Sequence, residues 1–216
     1  AEMHDLLNAY TASRLERVDW EHSLPVRFAL TMLKKRLLSS PLAFANSLNT
    51  HLNTLQAMPE SAPDEALVER MAERVNEDWA DDVEKSLRED DALVESSRFF
   101  TELLPEERDL LKRLAELADP ASIDSKAQKL IDWIEANLRE NGTWTRERLI
   151  VFTEYKDTLD YLHEILRERY GEDRLLTLIG GMNLSDRESI KAAFQASPDE
   201  HPVRILIATD AASEGL

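Results

Sequence analysis

The 216-residue chain contains no cysteine and only five glycines. The first absence excludes a disulfide framework, a thiol nucleophile and every zinc site built on sulfur ligands, and it fits a reducing, cytoplasmic setting. The second leaves no room for a GxxxxGK[ST] phosphate loop or a GxGxxG dinucleotide turn. No run approaches the roughly 18 consecutive apolar residues that a membrane span requires, and Ala1-Glu2-Met3-His4-Asp5 lacks the basic and apolar parts of a signal peptide. The five histidines show no HExxH or related spacing, so no metal site is expected.

Basic charge is also scarce. The net charge is −17, against a free-standing nucleic-acid binder, because phosphate neutralisation needs clustered Lys and Arg. The imbalance is local: residues 59–119 carry 20 acidic and 8 basic side chains. Any surface that meets phosphate must therefore lie elsewhere. This acidic stretch reads first as a helical insertion whose charge confers solubility. The sharper alternatives are a docking surface for a basic protein partner, or an autoinhibitory flap that mimics DNA.

What is present is helix first and parallel sheet afterwards. Apolar residues at spacings of three and four from Leu24 to Leu55 predict one or two helices divided at Pro41, with Ser39 or Ser40 as cap. Residues 58–63 read as a loop. From Asp64 to Glu95, Leu67, Met71, Val75, Trp79 and Val83 predict one buried helical stripe. Pro105 to Leu117 predicts a further helix with Glu106 and Glu107 at its positive end. Ser125 to Leu138 predicts an amphipathic helix ended by Asn141-Gly142. No strand is expected before residue 148.

Beyond that point, apolar runs at 148–153, 175–179 and 204–208 alternate with helical patterns at 156–170 and 185–195. Strand, helix, strand, helix, strand with continuous apolar strands is the pattern of a parallel sheet covered on both faces. The expected fold class is α/β: a helical region over 1–120 that includes the acidic insertion, then a partial sheet domain over 121–216.

In open parallel sheets ligands bind at the carboxyl ends of the strands. The residues there are Phe152-Thr153-Glu154-Tyr155, Ile179-Gly180-Gly181-Met182 and Ala208-Thr209-Asp210-Ala211. A strand-end hydroxyl beside free backbone N–H groups suits a phosphate oxygen, which is the position of Thr153 and Thr209. The plainer readings are strand-end caps for the two threonines and a positive-φ turn for Gly180-Gly181. Lys34-Lys35-Arg36 reads as a solvated helix face rather than a DNA contact. Trp20, Trp79, Trp133 and Trp144 read as packing residues. Asp64-Glu65-Ala66 superficially matches a magnesium-holding DEAx box, but no apolar strand precedes it.

These same segments resemble a family. Residues 148–155, Arg-Leu-Ile-Val-Phe-Thr-Glu-Tyr, are similar to motif IV of superfamily 2 motors. Residues 204–216, ending Thr209-Asp210-Ala211-Ala212-Ser213-Glu214-Gly215-Leu216, are similar to motif V. Between them Gly180-Gly181-Met182, Arg187 and Phe194 follow the usual series. Leu33 to Pro41 resembles a segment of Swi/Snf-type translocases, in the bacterial branch that includes the RNA-polymerase-recycling motor and phage-defence helicases. The resemblance covers residues 24–56 and 122–216.

It implies the second RecA-like lobe of an ATP-dependent DNA helicase or translocase, truncated within motif V. Thr153, Gly181, Arg187 and Thr209 would contact the DNA backbone. Glu214 and Gly215 would lie at the ATP cleft. ATP and Mg2+ would bind only with a first RecA-like lobe, because Walker A, Walker B and the arginine finger are absent from these residues. Glutamine is common three residues before the arginine in RNA-type members; Leu184 stands there, which points to duplex DNA. A non-catalytic helical adaptor with a degenerate α/β domain is the alternative from another class.

Overall fold

A computed structural model describes residues 2–19, 23–57, 62–75, 79–100 and 103–213. The chain divides into two compact units, Ala1–Glu77 with Lys85–Pro120, and Asp78–Glu84 with Ala121–Leu216. Among the described residues no helix is long and apolar enough to cross a membrane.

The first unit is helical. Its described elements are α1 (Glu2–Arg17), α2 (Ser23–Ser39), α3 (Pro41–Gln56), α4 (Glu65–Val75), most of α5 (Asp82–Ser97) and α6 (Pro105–Leu117). Pro41 does separate two helices. Ser40, in extended backbone, accepts from the Ala43 N–H, and Pro41 takes the first turn, where its missing N–H costs nothing. The core gathers Leu7 and Tyr10 from α1, Leu30 and Leu33 from α2, Phe44 and Leu48 from α3, and Leu111 and Leu114 from α6.

Among the described residues of this unit, two ion pairs are buried on both sides. Arg36 Nη2 donates to Glu89 Oε2 at 2.6 Å, and Arg14 Nη1 to Glu107 Oε2 at 3.1 Å. The expectation of a solvated face for Lys34-Lys35-Arg36 is thus right only for the exposed lysines; Arg36 is buried. The acidic stripe also needs correction. Val68 is the buried residue of α4, helix α4 stops at Val75, and Val83 is exposed. Asp64-Glu65 starts that helix, with Asp64 Oδ1 accepting from the Leu67 N–H at 3.2 Å, which is a capping role.

The second unit holds α7 (Ser125–Asn137), a small antiparallel pair β1 (Arg139–Glu140) and β2 (Thr143–Trp144), then β3 (Leu149–Thr153), α8 (Lys156–Tyr170), β4 (Leu175–Leu178), α9 (Leu184–Gln195), β5 (Ile205–Thr209) and the short α10 (Asp210–Ser213). The β1–β2 hairpin contradicts the expectation of no strand before residue 148. Asn141 (φ 51°) and Gly142 (φ 81°) form its two-residue turn, both in the left-handed region that such hairpin loops require. Trp144 then packs edge-on against Tyr170, 5.2 Å between ring centroids, while Trp133 is 46% exposed.

The three longer strands form one parallel sheet in the order β3-β5-β4. The central strand β5 is buried at every position, as a strand flanked on both edges and covered on both faces must be. Leu206 and Ala208 face a cluster with Leu178, Ala212 and the α9 residues Ile190 and Phe194. Helix α8 packs across all three strands. On β3, Ile150 and Phe152 share the face of Leu206 and Ala208 by register, and Phe152 is 51% exposed.

At the amino ends of the strands, Arg204 is buried and spends its guanidinium on backbone carbonyls of Thr145, Pro198, His201 and Val203. Desolvation, then the neighbouring Arg148 and Arg174, push its pKa down. This arginine ties together the connections at the end of the sheet opposite its carboxyl edge.

Candidate nucleic-acid interface

The carboxyl edge brings together most of the residues singled out by the strand pattern. Thr153 ends β3 and Thr209 ends β5, and the parallel register sets them directly opposite one another. Because cross-strand partners point to the same side of a sheet, the two threonines share a face with Ile205 and Ile207. The chain leaving β4 turns at Gly180-Gly181. There the Gly180 N–H points to Thr209 Oγ1 at 3.3 Å.

Arg187 belongs to the same edge. It lies on the second turn of α9, whose start is fixed by Asn183, accepting from the Asp186 N–H. Arg187 Nη2 donates to the Ala212 carbonyl at 2.6 Å, which links α9 to the short helix after β5. Leu184, one turn earlier, is 74% exposed. Glu214 and Gly215 fall outside the described residues.

One residue at this edge escaped the reading of the sequence. Asp82, 3% exposed, places Oδ2 2.5 Å from the Gly180 nitrogen and 2.5 Å from Thr209 Oγ1, with both groups donating to it. Thr209 is fully buried beneath it. The two preceding residues complete the cover. A Cβ at Gly180 would meet the Ala80 carbonyl oxygen at 2.5 Å, and one at Gly181 would run into the Asp81 carboxylate. Gly181 has φ 81°, so the backbone conformation favours glycine there, and the end of the Asp81 side chain fills the space a Cβ would take. Asp81 itself accepts from the Val83 and Glu84 N–H groups at 2.8 and 3.1 Å, which starts α5.

At this edge two donors meet the carboxylate of Asp82. A main-chain N–H and a hydroxyl converge on a single charged oxygen, and charge-assisted bonds of this kind are about twice as strong as neutral ones. Among the described residues no group of His, Asp and Glu has the arrangement of a metal centre. The sequence signal for Asp82 was weak: a carboxylate in an acidic run carries no mark of a partner 98 or 127 residues away.

The architecture defines a class: a helical region followed by a partial RecA-like α/β lobe, a three-stranded parallel sheet with flanking helices. Residues 125–216 match the family model of the helicase conserved C-terminal domain, and the match supports a helicase C-terminal lobe over that stretch. No curated protein and no solved structure matches the chain.

Proposed function

We propose that residues 121–216 act as the second motor lobe of an ATP-dependent, superfamily 2 DNA translocase of the Swi/Snf-like branch. The observation that carries this reading is the convergence of the Gly180 N–H and the Thr209 hydroxyl on one anionic oxygen at the carboxyl edge of the sheet. A DNA phosphate offers oxygens of the same charge and acceptor character. Thr153, next to Thr209 in register, and Gly181 extend the track along one strand, and Arg187 adds charge to it.

ATP and Mg2+ would lie between this lobe and a first RecA-like lobe, with Glu214 and Gly215 at the cleft. Closure of the two lobes would shift the threonine track along the DNA. The chain by itself binds DNA weakly and does not hydrolyse ATP in this reading.

The test is binding of the 216-residue chain to a short duplex, followed by fluorescence anisotropy across a salt series. Thr153→Val and Arg187→Ala should each weaken binding about fivefold, as removal of one net hydrogen bond or phosphate contact does. Wild-type affinity in both variants would remove the assigned contacts. Binding that is equally tight to single-stranded RNA would remove the duplex-DNA assignment.

A further inference from the structure

We propose that the Ala80-Asp81-Asp82 turn is a built-in competitor for the nucleic-acid phosphate, so that DNA reaches Thr209 and Gly180 only after this turn is released. The inference rests on the reading of the carboxyl edge as a phosphate track. It goes beyond that reading by identifying what holds the track shut.

Three observations converge on it. Asp82 Oδ2 takes both donors of the anion site at once, each at 2.5 Å, which is the geometry a phosphate oxygen would need to displace it. The carboxylate is buried, and among the described residues it has no salt-bridge partner; hydrogen bonds hold it in place. An ionised carboxylate away from water is costly without such donors, so the turn docks because the anion site is there to receive it. Finally, Ala80 and Asp81 cover the glycine pair itself, with the Asp81 carboxylate in the space next to Gly181. Phosphate and the turn cannot occupy the site together.

The placement of Asp81 explains how the turn can be poised for release. It caps the first turn of α5 through the Val83 and Glu84 N–H groups, so the segment keeps its local structure whether or not Asp82 is docked. Release then requires exchange of two hydrogen bonds rather than unfolding of a helix.

The experiment measures duplex DNA binding by the whole chain at low salt for the wild type, Asp82→Asn, Asp82→Ala and Glu84→Gln. Asp82→Asn and Glu84→Gln change the net charge equally, but Glu84 is exposed and touches neither donor. Both Asp82 variants should bind DNA about tenfold more tightly than wild type, while Glu84→Gln should change affinity less than about twofold. Adding Thr209→Val to Asp82→Ala should abolish the gain. Equal gains from Asp82→Asn and Glu84→Gln would reduce the effect to bulk charge and overturn the proposal. Equal binding by all four proteins would overturn it while leaving the phosphate track intact; no DNA binding by any of them would overturn the track as well. Should the Asp82 variants lose their circular-dichroism signal, hydrogen exchange of the wild-type chain decides. Residues 79–84 must exchange faster when DNA is added, and unchanged protection would overturn the proposal.

Discussion

Arg14 donates to Glu107 at 3.1 Å from one helix to another, with both side chains almost wholly out of water. Glu107 is more than a charge partner. Its carboxylate also accepts from Ser13 Oγ at 3.1 Å and from the Leu104 N–H at 2.9 Å, and the second bond satisfies the N-cap amide at the start of α6. Arg17 approaches the same oxygen at 3.4 Å. One carboxylate therefore fixes the start of α6 and its seating against α1.

Removing it should be costly because the arginine stays behind. Glu107→Ala should destabilise the chain by about 3 kcal/mol, the usual penalty for orphaning a buried charge. The measurement is the urea midpoint. A change no larger than that of an exposed control such as Glu106→Ala would show that the pair carries no net stability.

His51 supplies a pH dependence. Its ring lies between the Tyr10 hydroxyl at 3.0 Å and Ser97 Oγ at 2.7 Å, and is stacked edge-on against Phe100. Burial, then the charge of Arg14, lower its pKa to about 3. A histidine depressed in the fold stays neutral there while the unfolded chain takes up a proton below its ordinary value. The stability is fully present above about pH 6.5 and falls with acid towards the folded value. Between pH 6 and pH 5 this one group should contribute a loss approaching 1.4 kcal/mol per pH unit. His51→Gln should flatten that slope; an unchanged slope would mean that other groups carry it.

Gly142 isolates a backbone effect. Nothing lies within 4 Å of where its Cβ would be, yet φ is 81°. Gly142→Ala should therefore cost about 1 kcal/mol through conformation alone, without any clash. A thermal melt checks it, and a loss as large as that of a core truncation would show that the hairpin turn is packed.

Arg187 offers a separate reading of the phosphate track. In the proposed motor it adds one phosphate contact, so Arg187→Ala should reduce the slope of log affinity against log salt by about one. Lysine at that position should keep the slope while losing the bond to the Ala212 carbonyl. An unaltered slope in the alanine variant would leave Arg187 with only its link between α9 and α10.

The parts of the fold that were legible in the sequence are those that write themselves locally. The strands β3, β4 and β5 are short apolar runs because both faces of a parallel sheet are covered, and the spacing of helices between them follows from the connections such sheets need. Ser40-Pro41 announced a helix start in two residues. The β1–β2 hairpin was missed because strands of two residues show no periodicity, and Asn141-Gly142 serves equally as a helix terminator. The acidic stripe failed because a four-residue period over 64–95 continues through a break that only packing reveals. Arg36 and Glu89, 53 residues apart, carried no sign of their pairing. At the candidate site, Thr153, Gly181 and Thr209 were marked by position after strands, and Arg187 by the family resemblance alone. Asp82 was not, since its role exists only where the chain folds back onto the glycine turn.

Gly181 has a mutational consequence. Its missing side chain is what lets the Asp81 carboxylate rest against the turn, so a mutation at 181 acts on residue 81 as well. Any other residue at 181 would have to take up the positive φ and turn the Asp81 carboxylate aside, which would withdraw the cap from the first turn of α5.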